Sequence, residues 1–364
     1  MQFSSWLKRT SKKLPRWTYP ALKASWHVAN ELLFSVKSAR RPRFGDRIEF
    51  SALEIVELRR FFLRGPGTGQ VLVKTITSAM SPGTETAVLM GLPNAVRAMP
   101  FYPGYSGYGQ VVATGRRTNL KKGQLVAGQI GHASIAVVDE SNLVVCSSGD
   151  DPHQMAMIEL GCIVQQGVRK ARIRIGESIL VIGAGLLGQL SVIYATLAGA
   201  GQVTVLSRSD RKRESTSDVL PAHTFLVDGQ DIDSEMSVEA DVVLECVGSG
   251  EALNNAAHHA RRGGRVINLG SQRGAYSAAK LLTTTSSKSA ELIGAHISTL
   301  PSADGNPNNM TKNEERETFA DLIRTRNFVM PTHSVVTVRS SSDVNQAFES
   351  VTSGGSDATV VFEW

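Results

Sequence analysis

Ser178-Ile-Leu-Val-Ile-Gly-Ala-Gly-Leu-Leu-Gly188 decides how this chain folds. A short apolar run of β-type residues leads into Gly183, Gly185 and Gly188, and a helical pattern follows from Leu186 towards Ala198. The first glycine permits a tight turn and the second lets a pyrophosphate approach the backbone. The third lets the helix pack closely on the strand, with the anion at the helix N-terminus. Leu187, between the last two glycines, belongs to the same cradle. The glycine spacing alone is weak, but a second strand, Gln202-Val-Thr-Val-Leu-Ser207, completes a βαβ unit around it. This stretch predicts a dinucleotide site.

Moving outward, 364 residues suffice for two domains with separate cores. Cys146, Cys162 and Cys246 lie far apart with no CxxC pair, which argues against a disulfide framework or a thiolate zinc site and suits a reducing compartment. No apolar run is long enough to span a bilayer, so a cytoplasmic protein is expected. The basic character is local. Residues 1–45 hold ten Lys or Arg against Glu31 alone, a charge of +9, whereas the whole chain carries +6. Residues 46–364 are therefore mildly acidic and show no nucleic-acid footprint.

Residues 1–45 read as a basic helical extension, with Leu22, Trp26, Ala29, Leu33 and Val36 at helical spacing after Pro20. Two readings stay open: contact with an anionic membrane surface or partner protein, or docking on the chain's own body or a dimer mate. A transit peptide is a third, without a marked cleavage site. From Asp46 the pattern becomes short β runs such as Gln70–Thr75, Gly109–Thr114 and Ala133–Val138, broken by Pro and Gly. That predicts a strongly bent β domain. From about Glu159 helix and strand alternate, with later strands at Phe225–Val227, Asp241–Val247, Gly264–Gly270 and Glu291–His296. Continuous apolar strands of this kind predict a doubly wound parallel sheet. Ser302–Lys312 is expected as a loop, and a helix near Val344–Val351 interrupts a final β segment.

Taken in order, these signals resemble the medium-chain dehydrogenase/reductase superfamily over residues 46–364. The implied fold is α/β. A GroES-like bent β domain spans 46–160 and is completed by 300–364; a Rossmann dinucleotide-binding domain spans 161–299; the basic extension spans 1–45. In that likeness Val247 and Gly248 end the fourth strand, Gly270 ends the fifth, and all three contact the cofactor. Zinc-dependent members carry Cys-Gly-Thr-Asp where this chain has Pro82-Gly-Thr-Glu85, and Gly-His-Glu-x-x-Gly where it has Gly104-Tyr-Ser-Gly-Tyr-Gly109. Pro82 and Tyr105 are not useful zinc ligands, and Glu159, at a third ligand position, cannot hold catalytic zinc alone. The resemblance is therefore to a zinc-free branch, with no metal site.

Without a metal, charge on a substrate oxygen must be met by hydrogen-bond donors or a general acid–base. Tyr105 replaces a first ligand and its phenol is a donor near pH 7. Thr84 matches the hydroxyl that relays a proton in the family. For Glu159 a base, a ribose contact and a substrate contact stay open, and Ser106 and Tyr108 lie within reach of the same loop. Where NAD sites end the second strand with an acid, this chain reads Ser207-Arg208-Ser209-Asp210-Arg211-Lys212. Ser207, Arg208, Ser209 and Lys212 suit a 2′-phosphate, so NADP is preferred over NAD. The expected function is a zinc-independent, NADP(H)-dependent interconversion of a ketone and a secondary alcohol. The substrate would be a polyol, a sugar derivative or a ring-bearing biosynthetic intermediate. A quinone or enoyl C=C reductase and a non-catalytic cofactor-binding scaffold are the alternatives. The family likeness implies a homodimer acting on a small molecule.

Overall fold

The computed structural model describes residues 43–207, 224–228, 238–273, 277–301, 305, 310–326, 333–353 and 359–364, with the backbone only at 224–228, 326 and 333. The amphipathic arm before residue 43, and Arg208, Ser209 and Lys212, lie outside them. The chain divides into two compact units, residues 1–44 with 62–65, and residues 45–61 with 66–364. In the first, the rings of Phe44 and Phe62 meet edge-on at 6.0 Å. All that follows belongs to the second, apart from the outer ends of a two-stranded sheet, β1 (Arg43–Ala52) with β2 (Ile55–Leu63).

The glycine-rich stretch opens a six-stranded sheet. Its strands are β8 (Ser178–Ile182), β9 (Gln202–Ser207), β10 (Thr224–Asp228), β11 (Ala240–Glu245), β12 (Ala260–Asn268) and β13 (Glu291–Gly294). They lie in the order β10-β9-β8-β11-β12-β13, and every neighbouring pair is parallel. Period-two alternation explains why β8 has no polar face. Ile179 and Val181 turn towards Leu160 and Val164 of α3 (Ile158–Ala171) and Leu190 of α4 (Leu186–Leu197). Leu180 and Ile182 turn towards Leu253 and Ala256 of α5 (Gly250–His259) and Leu281 of α6 (Ala278–Lys288). Chain order reverses between β8 and β11, and such a switch point leaves a crevice beyond the carboxyl ends of the strands.

The other sheet is mostly antiparallel. It runs β14 (His333–Thr337), β15 (Thr359–Glu363), β3 (Gln70–Ala79), β4 (Gly107–Thr114), β5 (Leu125–Gly128) and β7 (Leu143–Cys146), with β6 (Ile135–Asp139) beside β3. The first half of β3 pairs with β6 and its end pairs with β15, through Ala79↔Val361. The carboxyl-terminal residues thus close a sheet begun near residue 70. Register shifts between Leu72 and Val73 and between Thr75 and Thr77 bend the strand.

Two helices depart from the sequence reading. Pro82-Gly83, within the stretch expected to hold only short β runs broken by Pro and Gly, begins α1 (Pro82–Leu89). Proline at a first helical position loses a donor that has no intrahelical acceptor anyway, and the Glu85 carboxylate accepts from Ser81 N–H at 2.9 Å. Downstream, Lys312 starts α7 (Lys312–Arg326), for which the sequence reading had no helix. Charge dominates its first two turns, and its apolar set is narrow: Phe319, Leu322 and Ile323 pack on the large core shared by both sheets. Phe319 is fully buried against Gly161 of α3, where a Cβ would come within 2.1 Å of the ring. The helix near Val344 is α8 (Ser341–Thr352), started by a capping box between Ser340 and Asp343.

Candidate active site

The crevice at the switch point is a cavity of about 1100 Å³. On one wall stand Gly183, Gly185 and Leu187, joined by Ser207, Val247 and Gly270. On the other stand Ser81, Pro82, Gly83, Thr84, Tyr105 and Glu159. Gly188 and Gly248 lie behind the lining. A Cβ on Gly188 would come within 1.8 Å of the Gly183 carbonyl oxygen, so only glycine lets α4 start this close to β8. Gly248, at φ +81°, crosses within contact of Gly270 and Ser271 and shapes the wall from beneath.

Gly185 is the complementary case. No heavy atom lies within 4 Å of where its Cβ would be, so the backbone is open where a pyrophosphate sits on such a turn. Ser207 ends β9 largely buried on the same wall, where an acid would repel a 2′-phosphate. The fit to a dinucleotide is therefore geometric as well as sequential.

Facing it, the Tyr105 hydroxyl donates to Ser81 Oγ at 2.8 Å and lies within hydrogen-bonding influence of Thr84. Burial pushes its pKa well above the ordinary phenol value; the neighbouring hydroxyls oppose this and the charges of Glu85 and Glu159 add to it. The phenol is thus a neutral donor throughout the physiological range. Beneath it, a buried chain of polar groups fixes α1 on β3. Glu85 Oε2 and His132 Nε2 are 3.0 Å apart, His132 Nδ1 and Ser78 Oγ 2.8 Å, and Trp364 Nε1 donates to Ser78 Oγ at 2.9 Å.

Glu159 opens α3 and is 4% exposed, and its Oε1 accepts from Arg316 Nε at 2.6 Å. Burial raises its pKa and the Arg316 guanidinium opposes that rise. Arg316 is itself 1% exposed and also donates to Asn313. The pairing leaves the second Glu159 oxygen without a partner among the described residues, on the cavity wall. Ser106 and Tyr108 are not cleft residues. Ser106 donates to the Ala156 carbonyl and accepts from Glu159 N–H, and Tyr108 is 3% exposed in the core. Sequence reasoning missed Arg273, Lys312 and Arg97 on the cavity wall and Arg316 behind it. The apolar triplet of α7 was the one signal for two of these. Among the described residues, no three His, Cys, Asp or Glu gather where they could hold a metal ion, and no helix is long and apolar enough to cross a membrane.

A family model described as "Zinc-binding dehydrogenase" matches residues 187–306. L-galactonate-5-dehydrogenase of Escherichia coli (strain K12) is 32% identical over 136 residues, 36% of this chain and 40% of that protein. D-guloside 3-dehydrogenase of the same strain is 31% identical over 127 residues, 32% of each chain. These alignments span less than half the length of either relative. The fold likeness is broader. L-idonate 5-dehydrogenase from Escherichia coli superposes with TM-score 0.74 at 17% identity, over 89% of this chain and 99% of that one. A Sinorhizobium meliloti protein described as a zinc-binding dehydrogenase and bound to NADP gives 0.73 at 19%, over 88% and 100%.

Proposed function

We propose that this chain is a member of the medium-chain dehydrogenase/reductase superfamily and, within it, a zinc-independent, NADP(H)-dependent oxidoreductase interconverting a ketone and a secondary alcohol. The observation that carries the reading is the cleft itself, an open glycine elbow on one wall and the Tyr105, Thr84 and Ser81 hydroxyls on the other. Gly183, Gly185, Leu187 and the α4 N-terminus would hold the pyrophosphate, with Gly188 allowing the close approach. Val247 and Gly270, which line the same cavity, would hold the nicotinamide, and Ser207 with Arg208, Ser209 and Lys212 would take the 2′-phosphate. When bound, the nicotinamide supplies or accepts a hydride.

Everything else falls to side chains. The Tyr105 and Thr84 hydroxyls hold the substrate oxygen and its proton, the part a metal plays as Lewis acid elsewhere. Burial keeps the Tyr105 phenol protonated, so it acts as a donor to a developing oxyanion rather than as a base. Glu159, held by Arg316, keeps one oxygen for a substrate or ribose hydroxyl. That role is favoured over general base because its charge is already matched. The named relatives act on sugar acids and sugar derivatives, which supports a polyol or sugar-derived substrate.

Tyr105→Phe is expected to lower kcat by at least about 100-fold and leave the NADPH Kd within about twofold. Stopped-flow turnover and fluorescence titration against a panel of ketones and enones check both. Full turnover in that variant, reduction of enones alone, or activity that follows stoichiometric zinc would each overturn the assignment.

A further inference from the structure

Arg273 lines the cleft, and the oxidoreductase reading gives it no role. Its main chain is tied to the end of the fourth strand, with its N–H donating to the Gly248 carbonyl at 3.0 Å and a bridge to Ser249. Its side chain reaches across the cavity to the opposite wall. Nη2 lies 3.4 Å from where a Gly83 Cβ would be, at the start of α1 beside Thr84. The guanidinium feels Tyr105 and Glu245 electrostatically, and burial pushes its pKa down without neutralising it.

No described carboxylate lies within ion-pair distance of it. Glu245 is spent elsewhere: Oε1 accepts from Val247 and Gly248 N–H, and Oε2 accepts from the Gln272 amide. Among the described residues this half-buried guanidinium has no ion-pair partner, so its forked donors face the cleft and are available to an anionic ligand. The rest of the wall leans the same way. Arg97, Lys280 and Lys312 line the cavity against the acids Glu159 and Glu251, and Arg316 already matches Glu159. The glycine elbow has its own N–H groups and helix N-terminus for a pyrophosphate. The Arg273 guanidinium instead reaches Gly83, next to the hydroxyls that would hold the substrate oxygen.

We propose that Arg273 is the specificity residue of this cleft, binding the carboxylate of a hydroxy-acid substrate of the aldonic type by a forked pair of hydrogen bonds. This rests on the oxidoreductase reading for the reaction, but the binding claim stands separately. A pyrophosphate oxygen of the cofactor offers the same oxyanion chemistry, and the test tells the two sources apart.

Wild-type, Arg273→Gln and Arg273→Lys proteins are compared on matched pairs that differ only at C1, D-gluconate against D-glucitol and L-galactonate against galactitol, with NADP⁺. The wild type should prefer the acid of each pair. Arg273→Gln should erase about ten- to hundredfold of that preference, the loss of one charged, forked contact, through KM rather than kcat. Arg273→Lys should restore part of it. A wild type preferring the alditols, an unchanged preference in Arg273→Gln, or a parallel rise in the NADPH Kd (guanidinium on pyrophosphate) overturns the proposal. Should no sugar turn over, calorimetry with gluconate and the NADP⁺-loaded protein decides it. Binding that weakens tenfold or more in Arg273→Gln upholds the carboxylate site and removes only the reaction, while equal or absent binding removes the site.

Discussion

Replacing Arg316 by glutamine isolates what the buried ion pair does. In the folded chain Glu159 is 4% exposed and its Oε1 receives a 2.6 Å hydrogen bond from a guanidinium that is 1% exposed. Removing one member of such a pair leaves an uncompensated charge in low dielectric and costs about 3–5 kcal/mol, far more than the net value of the pair. Glutamine keeps some hydrogen bonding, so the lower end, about 3 kcal/mol at pH 8, is expected. The pH dependence has a definite sign. Burial already raises the Glu159 pKa against the opposing Arg316 charge, and loss of that charge raises it further. A carboxyl whose folded pKa stands above its unfolded value favours folding fully below the unfolded pKa. That contribution fades as pH rises through the folded pKa. The deficit of Arg316→Gln should therefore shrink from pH 8 towards pH 5, as Glu159 takes up a proton. Urea unfolding at both pH values, with Glu159→Gln and the double variant closing a cycle, measures it. The double variant should recover more than half the loss. A deficit below about 1 kcal/mol, or one equal at pH 5 and pH 8, would refute the reasoning.

Gly188→Ala places a methyl within 1.8 Å of the Gly183 oxygen. It should cost about 1–3 kcal/mol despite the better helix propensity of alanine, and weaken NADPH binding at least tenfold in a fluorescence titration. Ser207→Asp should raise the NADPH Kd tenfold or more and lower that of NADH, because a carboxylate repels a 2′-phosphate and accepts from ribose hydroxyls; an unchanged ratio would remove the NADP preference. Burial pushes the Cys146 and Cys246 thiols up to about 12 and Cys162 well above its ordinary value. An aromatic disulfide reagent at pH 8 should therefore find no fast thiol in the native chain and three in urea, since the thiolate fraction at a pKa of 12 is on the order of 10⁻⁴.

The legible parts of this molecule are those where a local pattern has one physical use. Gly183, Gly185 and Gly188 after an apolar run mark a close strand–helix turn, and continuous apolar strands alternating with helices mark the parallel sheet, whose strand order the structure supplies. Through the family likeness Tyr105 was visible as the refill of a ligand position, Glu159 as the occupant of another and Thr84 as the relay hydroxyl, and all three line one cavity. α1 was less legible, since Pro82-Gly83 serves a turn as well as a first helical turn. Only the preceding Ser81 and the later Glu85, whose carboxylate reaches back to Ser81 N–H, distinguish the two.

Sequence by itself determined the two sheets and the glycine elbow; that Pro82 and Tyr105 stand at former metal-ligand positions came only from the family likeness. Only the tertiary structure decided that Glu159 is answered by Arg316, 157 positions away, and that Arg273 crosses to Gly83 with no carboxylate among the described residues to meet it. Periodicity and turn chemistry act over a few residues and are written in order along the chain. Charge pairing in a low-dielectric interior depends on which distant side chains the fold brings within a few ångströms, and no spacing in the sequence encodes that.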